Sequence, residues 1–335
     1  VCRLDRYQII KQLGKGTFGI VYKGIHKQTG YYVAIKKILI HKGADCFPVT
    51  AFREIDILKN LQSPECKHII ELIDMIRDRP PPNDEYTNYD SSKAPKSIKK
   101  SFYMVFPYMS YDLSGILGNP SVTLTEPDIK SIMKQLLDGI NFIHASGYLH
   151  RDIKAANLLI NWEGVLKIGD FGLARSYGGP RPTLDKAGGG NYPLTEVVMT
   201  RWYRAPEVLF GDKLYTTAVD IWGIGCVFGE LYERKPILPG KSDLDQAYDI
   251  FKLVGEANEN NVTHMDRYKF EEKNIILKPT KRTLEERFAK SISSEGVDLL
   301  AKMLALDPER RITGLKALEH PYFNIQPLPT ETVDV

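Results

Sequence analysis

Cysteine is scarce and irregularly placed. The four in the chain, Cys2, Cys46, Cys66 and Cys226, form no CxxC pair and no metal-ligand spacing. A disulfide framework or structural zinc site is therefore not expected, and reduced intracellular thiols are. No apolar run approaches the roughly eighteen residues that a membrane helix requires, so no membrane association is expected. No segment reads as a signal peptide. Because the chain begins at Val1 rather than at methionine, it reads as a fragment or a processed chain, which leaves targeting signals outside it open. Neither sign of charge dominates: Lys and Arg number 45 against 42 Asp and Glu. The basic residues are scattered and no finger or RNA-binding signature is present, so direct nucleic-acid binding is not expected. Internal repeats are lacking too. What is present, 43% hydrophobic and 26% charged residues over a length of 335, suits an ordinary globular chain of one large or one two-lobed domain.

Along the chain the text changes character once. Strand-like alternation around turn glycines occupies residues 7–10, 20–22 and 31–37, with further strand text at 69–72 and 102–106. A helix is expected over 48–61, with Ala51, Ile55, Leu58 and Leu61 on one face. Residues 77–100, rich in Pro, Asp, Asn, Ser and Lys, read as a mobile insertion. Beyond a boundary near 107–112, helical periodicity takes over at 126–146, 216–233, 244–254 and 295–306, with Gly147 as a stop signal for the first of these. Strands first and helices after give a two-region α+β plan. The glycine-rich stretch 178–190 reads as a flexible loop.

Two aspartates carry the chemistry. Asp152 lies in His150-Arg151-Asp152-Ile153-Lys154-Ala155-Ala156-Asn157, and Asp170 opens Asp170-Phe171-Gly172, thirteen residues past Asn157. Transfer of a γ-phosphoryl group needs a carboxylate to take the hydroxyl proton, a cation on the moving charge and hard oxygens for Mg²⁺. Asp152 suits the first role, Lys154 the second, and Asn157 with Asp170 the third.

Gly14-Lys15-Gly16-Thr17-Phe18-Gly19-Ile20-Val21 is a G-x-G-x-x-G-x-V run in which glycines let backbone amides approach phosphate oxygens. A dinucleotide-binding fold would follow such glycines with a helix and an acidic residue about twenty positions on. Here a strand continues, and Val33-Ala34-Ile35-Lys36 lies at that distance. Lys36 on a strand can pair the α- and β-phosphates of ATP, with Glu54 as the helix glutamate that holds it. Leu13, Val21, Ala34 and Leu159 are apolar where they can sandwich a flat base. Pro107 can offer its carbonyl and Met109 its amide to an adenine edge, and Phe106 narrows the back of the pocket.

Together these residues resemble the protein kinase signature set. The match continues through Ala205-Pro206-Glu207, Asp220-Ile221-Trp222-Gly223 and Arg311, and covers roughly residues 7–323. The resemblance implies a bilobal fold: a β-rich N-terminal lobe with one major helix (about 7–106), a hinge (about 107–112) and a larger, mainly helical C-terminal lobe (about 113–323), followed by an extension over 324–335. It also implies that Glu207 pairs with Arg311 and that Asp220 holds the catalytic loop from below. Phe47-Pro48-Val49-Thr50-Ala51-Phe52-Arg53-Glu54 is similar to the αC helix of cyclin-dependent kinases, and Lys-Ala-Ala-Asn after Ile153 resembles their transcription-elongation branch, the fungal Bur kinases and their animal P-TEFb relatives. Phe52, in place of a smaller residue, and Gly169 ahead of Asp170 depart from the pattern without removing a catalytic group.

That likeness implies a cyclin subunit contacted through Phe52, and protein substrates carrying Ser/Thr-Pro in RNA polymerase II C-terminal repeats and elongation factors. It further implies a nuclear location and an activating kinase acting on Thr195, whose phosphate Arg53, Arg151 and Arg175 would bind. Val198 and Met199 would shape the pocket for the substrate proline. An inactive kinase-fold scaffold is opposed by the intact Lys36, Glu54, Asp152, Asn157 and Asp170. A mitogen-activated-type kinase, active without cyclin, is opposed by Thr195-Glu196-Val197, which lacks the usual tyrosine.

Overall fold

The computed structural model describes residues 4–16, 19–38, 48–78, 101–195 and 199–334. They fall into two compact units, one formed by 1–62 with 70–109, the other by 63–69 with 110–335.

In the first unit, strands β1 (Tyr7–Gly16), β2 (Gly19–His26) and β3 (Tyr32–Ile38) precede helix α1 (Val49–Leu61), and β4 (Asp74–Asp78) and β5 (Ser101–Pro107) follow it. The strands pair antiparallel in the order β1-β2-β3-β5-β4. Alternation along β2 and β3 sends Ile20, Tyr22, Val33 and Ile35 into a core with Tyr7, Ile76, Tyr103 and Val105. Val21, Ala34 and Lys36 therefore point to the opposite face, where the register sets Val21 beside Lys36 and Lys36 beside Met104. Helix α1 starts after Pro48, an extended N-cap at φ −58° and ψ 127°, and it buries Ala51, Ile55, Leu58 and Leu61 as its periodicity predicts, together with Glu54.

In the second unit come β6 (Tyr111–Asp112), α2 (Leu113–Gly118), α3 (Glu126–Ala145), β7 (Tyr148–Leu149), β8 (Leu158–Ile160), β9 (Leu166–Ile168) and β10 (Arg175–Ser176). Helices α4 (Pro206–Leu209), α5 (Ala218–Glu233), α6 (Asp243–Val254), α7 (Leu284–Phe288), α8 (Ser294–Met303) and α9 (Gly314–Leu318) complete it. Thr125 and Asp128 close a reciprocal capping box at the start of α3, whose stripe of Ile129, Ile132, Met133, Leu136, Leu137, Ile140 and Ile143 is buried. Gly147, at φ +92°, turns the chain after its end. Helix α5 is buried on nearly all sides, as befits the centre of a helical unit. The last segment, Ile325 onward, lies back across α3. The fully buried Lys130 ammonium donates to the Ile325 and Pro327 carbonyls at 2.9 and 2.7 Å, and Val333 N–H donates to Gly164 O at 3.0 Å. This is the α+β, two-lobed plan the resemblance implies.

Three expectations are corrected. Residues 69–72 form no strand: Ile69 makes only an isolated bridge to Ile168, and regular pairing starts at Asp74. The two units divide between Ile69 and Ile70, so the apolar run serves two cores rather than one sheet. Arg77 and Asp78 do not open the insertion but pair with Phe102 and Ser101 in the sheet, the Arg77 guanidinium lying over the Phe102 ring; residues 79–100 lie outside the described residues. The stretch 178–190 is not a loose loop. Gly188 N–H donates to the Thr217 hydroxyl at 2.9 Å, Thr217 N–H returns a bond to Gly188 O at 3.0 Å, and the Thr313 hydroxyl donates to Leu184 O at 2.6 Å. Its glycines supply left-handed turns, as at Gly189 and Gly190, instead of slack.

Candidate active site

In the first unit, the Lys36 ammonium donates to both carboxylate oxygens of Glu54 at 3.1 Å. Strand β3 aims the lysine and α1 aims the glutamate, so the pair ties helix to sheet. Gly14 and Gly16 lie on β1, with Lys15 exposed between them. A Cβ at Gly14 would meet nothing within 4 Å, an open approach of the kind a phosphate requires. Gly19 answers a different need, since a Cβ there would lie 2.2 Å from the Lys37 carbonyl: the close pairing of β2 with β3 demands it. Thr17 and Phe18 lie outside the described residues. Ile20 is corrected: its side chain is fully buried in the sheet core, leaving only its backbone to face a ligand. Leu13 is exposed, Val21 and Ala34 are half-buried on the lysine face, and Phe106, Pro107 and Met109 are half-buried at the end of β5 and just beyond it.

In the second unit, the loop from β7 to β8 is built around Asp220 of α5. One Asp220 oxygen accepts His150 N–H at 3.0 Å and the other Arg151 N–H at 2.9 Å, while the His144 ring bonds the first at 2.8 Å. Burial alone would raise the Asp220 carboxyl, but the His144 bond, the two histidines and the backbone N–H donor hold it below the ordinary carboxylate range. This support holds Arg151 at φ +66°, a left-handed conformation that a non-glycine residue adopts only when its surroundings over-determine it. Asp152 follows with its carboxylate satisfied on two sides: Asn157 Nδ2 donates to Oδ2 at 3.1 Å, and the Thr200 hydroxyl donates to Oδ1 at 3.3 Å. Lys154 Nζ lies 3.5 Å from Asp152 and donates to the Thr200 oxygen at 2.8 Å. Thr200 thus stands toward both Asp152 and Lys154.

Asp170 sits at φ +53°, its Oδ1 accepting Gly172 N–H at 3.2 Å. Phe171 is buried edge-on against His150, whose Nε2 bonds Gly169 O at 2.8 Å. A Cβ on Gly169 would meet the end of the Leu159 side chain at 3.0 Å, a tight contact from which that side chain would have to shift by a few tenths of an ångström. Because Asn157 spends its amide nitrogen on Asp152, its Oδ1 is the atom left for a ligand. One amide oxygen and one carboxylate are hard donors suited to a divalent cation that keeps water and phosphate in its remaining positions. Among the described residues no cluster of three or more His, Cys, Asp or Glu is present.

Thr195 is exposed, and two of the three expected arginines reach its hydroxyl: Arg175 at 3.1 Å and Arg151 at 3.5 Å. Arg53 belongs to the other unit, where it is exposed on α1 beside the exposed Phe52. Of the pair Val198 and Met199, the first lies outside the described residues, while buried Met199 offers its carbonyl to Arg204 at 2.8 Å. Sequence reasoning missed Tyr215, which is fully buried: its hydroxyl accepts from Arg151 at 3.0 Å and donates to Thr195 O at 2.9 Å. It also missed His144. Glu207 and Arg311 form a bidentate pair at 2.7 and 2.9 Å, both fully buried.

Comparison with known proteins agrees with this geometry. The model of the protein kinase domain family matches residues 7–323. The chain is 50% identical over 331 residues to the Bur serine/threonine-protein kinase of Saccharomyces cerevisiae, covering 98% of this chain and 49% of that protein. It is 49% identical over 332 residues to the Bur kinase of Candida glabrata, at 97% and 49% coverage, and 48% identical to that of Candida albicans, at 98% and 42%. The chain thus spans about half the length of the curated relatives it matches. With a family match over nearly its whole length and relatives about half identical across it, the chain belongs to the protein kinase family.

Proposed function

We propose that this chain is a cyclin-dependent, proline-directed serine/threonine kinase that moves the γ-phosphoryl group of Mg²⁺-ATP to RNA polymerase II C-terminal repeats and elongation factors in the nucleus. The observation that carries the reading is the Asp152 carboxylate held between Asn157 and Thr200 with Lys154 alongside. Asp152 accepts the proton of the substrate hydroxyl, and Lys154 faces the charge on the transferring group. Lys36, fixed by Glu54, pairs the α- and β-phosphates. In the kinase template the positions of Leu13, Val21, Ala34, Phe106 and Leu159 flank the base, and those of Pro107 O and Met109 N–H meet its edge. Asn157 Oδ1 and the Asp170 carboxylate would hold the magnesium, which would supply the counter-charge for the phosphates. A phosphate on Thr195, placed there by an activating kinase, engages Arg151 and Arg175, with Arg53 as the third arginine of the kinase template. The cyclin dependence, the substrates and the location rest on likeness to the fungal Bur kinases.

The test is to recover the kinase complex from native extract, identify a cyclin in it, and assay peptides of the polymerase repeat. Asp152→Asn and Asp170→Asn should each lower kcat by roughly 10²-fold or more. Residual activity above one-tenth in either variant would overturn the assignment.

A further inference from the structure

Phosphate-dependent loops generally gain their order from the phosphate. The segment leading to Thr195 is instead tied down along its length by contacts that involve no phosphate. Tyr177 N–H donates to Gly147 O at 3.2 Å and the Tyr177 hydroxyl donates to His144 O at 2.7 Å, just past the end of β10. The Arg181 guanidinium then lies over the Tyr177 ring, 5.5 Å from its centre, and against Gly147, where an added Cβ would come within 2.6 Å of it. Further on, Asp185 meets Lys316 of α9 at 2.6 Å, and Leu184 O accepts the Thr313 hydroxyl that caps the same helix. Gly188 is doubly bonded to Thr217, directly ahead of α5, and Leu194 N–H donates to Lys213 O at 2.8 Å. His144, whose carbonyl receives Tyr177, is also the ring that bonds Asp220 beneath the catalytic loop.

We propose that residues 178–190 are a built-in anchor that performs part of the ordering otherwise left to the Thr195 phosphate, and that Arg181 and the Asp185–Lys316 pair are its positioning residues. The inference rests on the reading of Thr195 as the activating phosphosite and adds a regulatory consequence. The unphosphorylated kinase keeps its activation segment half-assembled, so phosphorylation multiplies activity by less than it would on a free loop. A ligand or modification can shift an equilibrium only by its differential effect on the two states, and the anchor has already lowered the cost of the ordered one.

The experiment compares the phosphorylated-to-unphosphorylated activity ratio in the native complex for the unsubstituted chain, Arg181→Ala, and Lys316→Met, which removes the anchor's partner without touching the loop. Arg181→Ala should raise the ratio about three- to tenfold and Lys316→Met, whose ion pair with Asp185 is exposed, about two- to fivefold, almost wholly by lowering the unphosphorylated form, and Arg181→Lys should restore part of the first. Hydrogen exchange across 178–195 should quicken in the unphosphorylated variants and return to the unsubstituted level once Thr195 carries phosphate. A ratio that stays unchanged, with both forms losing activity in parallel, overturns the anchor model. Failure of the phosphosite reading looks different: Thr195→Ala would keep full activity and the ratio would be one even in the unsubstituted chain, and the proposed coupling would fall with it.

Discussion

Thr200 is the hinge of the catalytic group in chemical terms, because one hydroxyl serves two charged neighbours: it donates to Asp152 and accepts from Lys154. Removing it leaves the lysine free to close on the carboxylate proposed to accept the proton. Thr200→Ala should therefore lower kcat about tenfold, the worth of one charge-assisted hydrogen bond, with little change in KM for ATP, while Thr200→Ser should retain most of the rate. Steady-state kinetics on a repeat peptide decide this, and an unaltered kcat in the alanine variant would sink the role. At this scale the sequence was most readable where chemistry dictates both residue type and spacing, as for Asp152, Lys154, Asn157 and Asp170. It was mute for Tyr215 and His144. Their partners Arg151 and Asp220 lie 64 and 76 residues away, and nothing local in the chain marks such a contact.

Among elements, α5 bears on the catalytic loop through a single carboxylate. Asp220→Asn should cost about 3 kcal/mol at neutral pH, because donors from His150, Arg151 and His144 lose their charged acceptor. The sign with pH follows from the direction of the shift. A carboxyl held below its ordinary value of 3.8 contributes its stability above that value and loses it as pH falls through the lowered one. The gap in melting temperature between the parent and Asp220→Asn should thus be full at pH 6–7 and narrow below about pH 4; a gap that widens in acid would contradict it. Helix α1 is a second test. Its Phe52 is 66% exposed, an aromatic ring in water on the face away from the buried Glu54. Phe52→Asp should abolish cyclin co-purification and leave the melting temperature unchanged, whereas normal recovery of cyclin would refute the contact. Long amphipathic helices such as α1 and α3 were legible because their periodicity is strong. The stretch at 69–72 was not, since an apolar run reads alike whether it pairs in a sheet or divides between two cores. The glycines of 178–190 misled for a related reason: composition reports permissive backbone, and only the fold shows what fastens it.

For the whole molecule, the Glu207–Arg311 pair joins residues 104 apart with neither side chain exposed. Arg311→Leu strands a buried carboxylate and should destabilise the second unit by about 3–5 kcal/mol. The double variant with Glu207→Leu should recover part of the loss, because no charge is then left unpaired. Thermal unfolding of the single and double variants measures this, and a double variant worse than the sum of the singles would exclude the explanation. The buried Lys130 has a consequence in time rather than in energy. Its acceptors, the Ile325 and Pro327 carbonyls, are made 195 and 197 residues after it. At roughly 5–20 residues per second on the ribosome, α3 waits on the order of 10–40 s before the peptide groups that receive its ammonium have even been synthesised. Through that interval the helix can offer this ammonium only Glu126, 3.7 Å away on the same helix, and water, so the second unit cannot reach its final packing while it is still being translated.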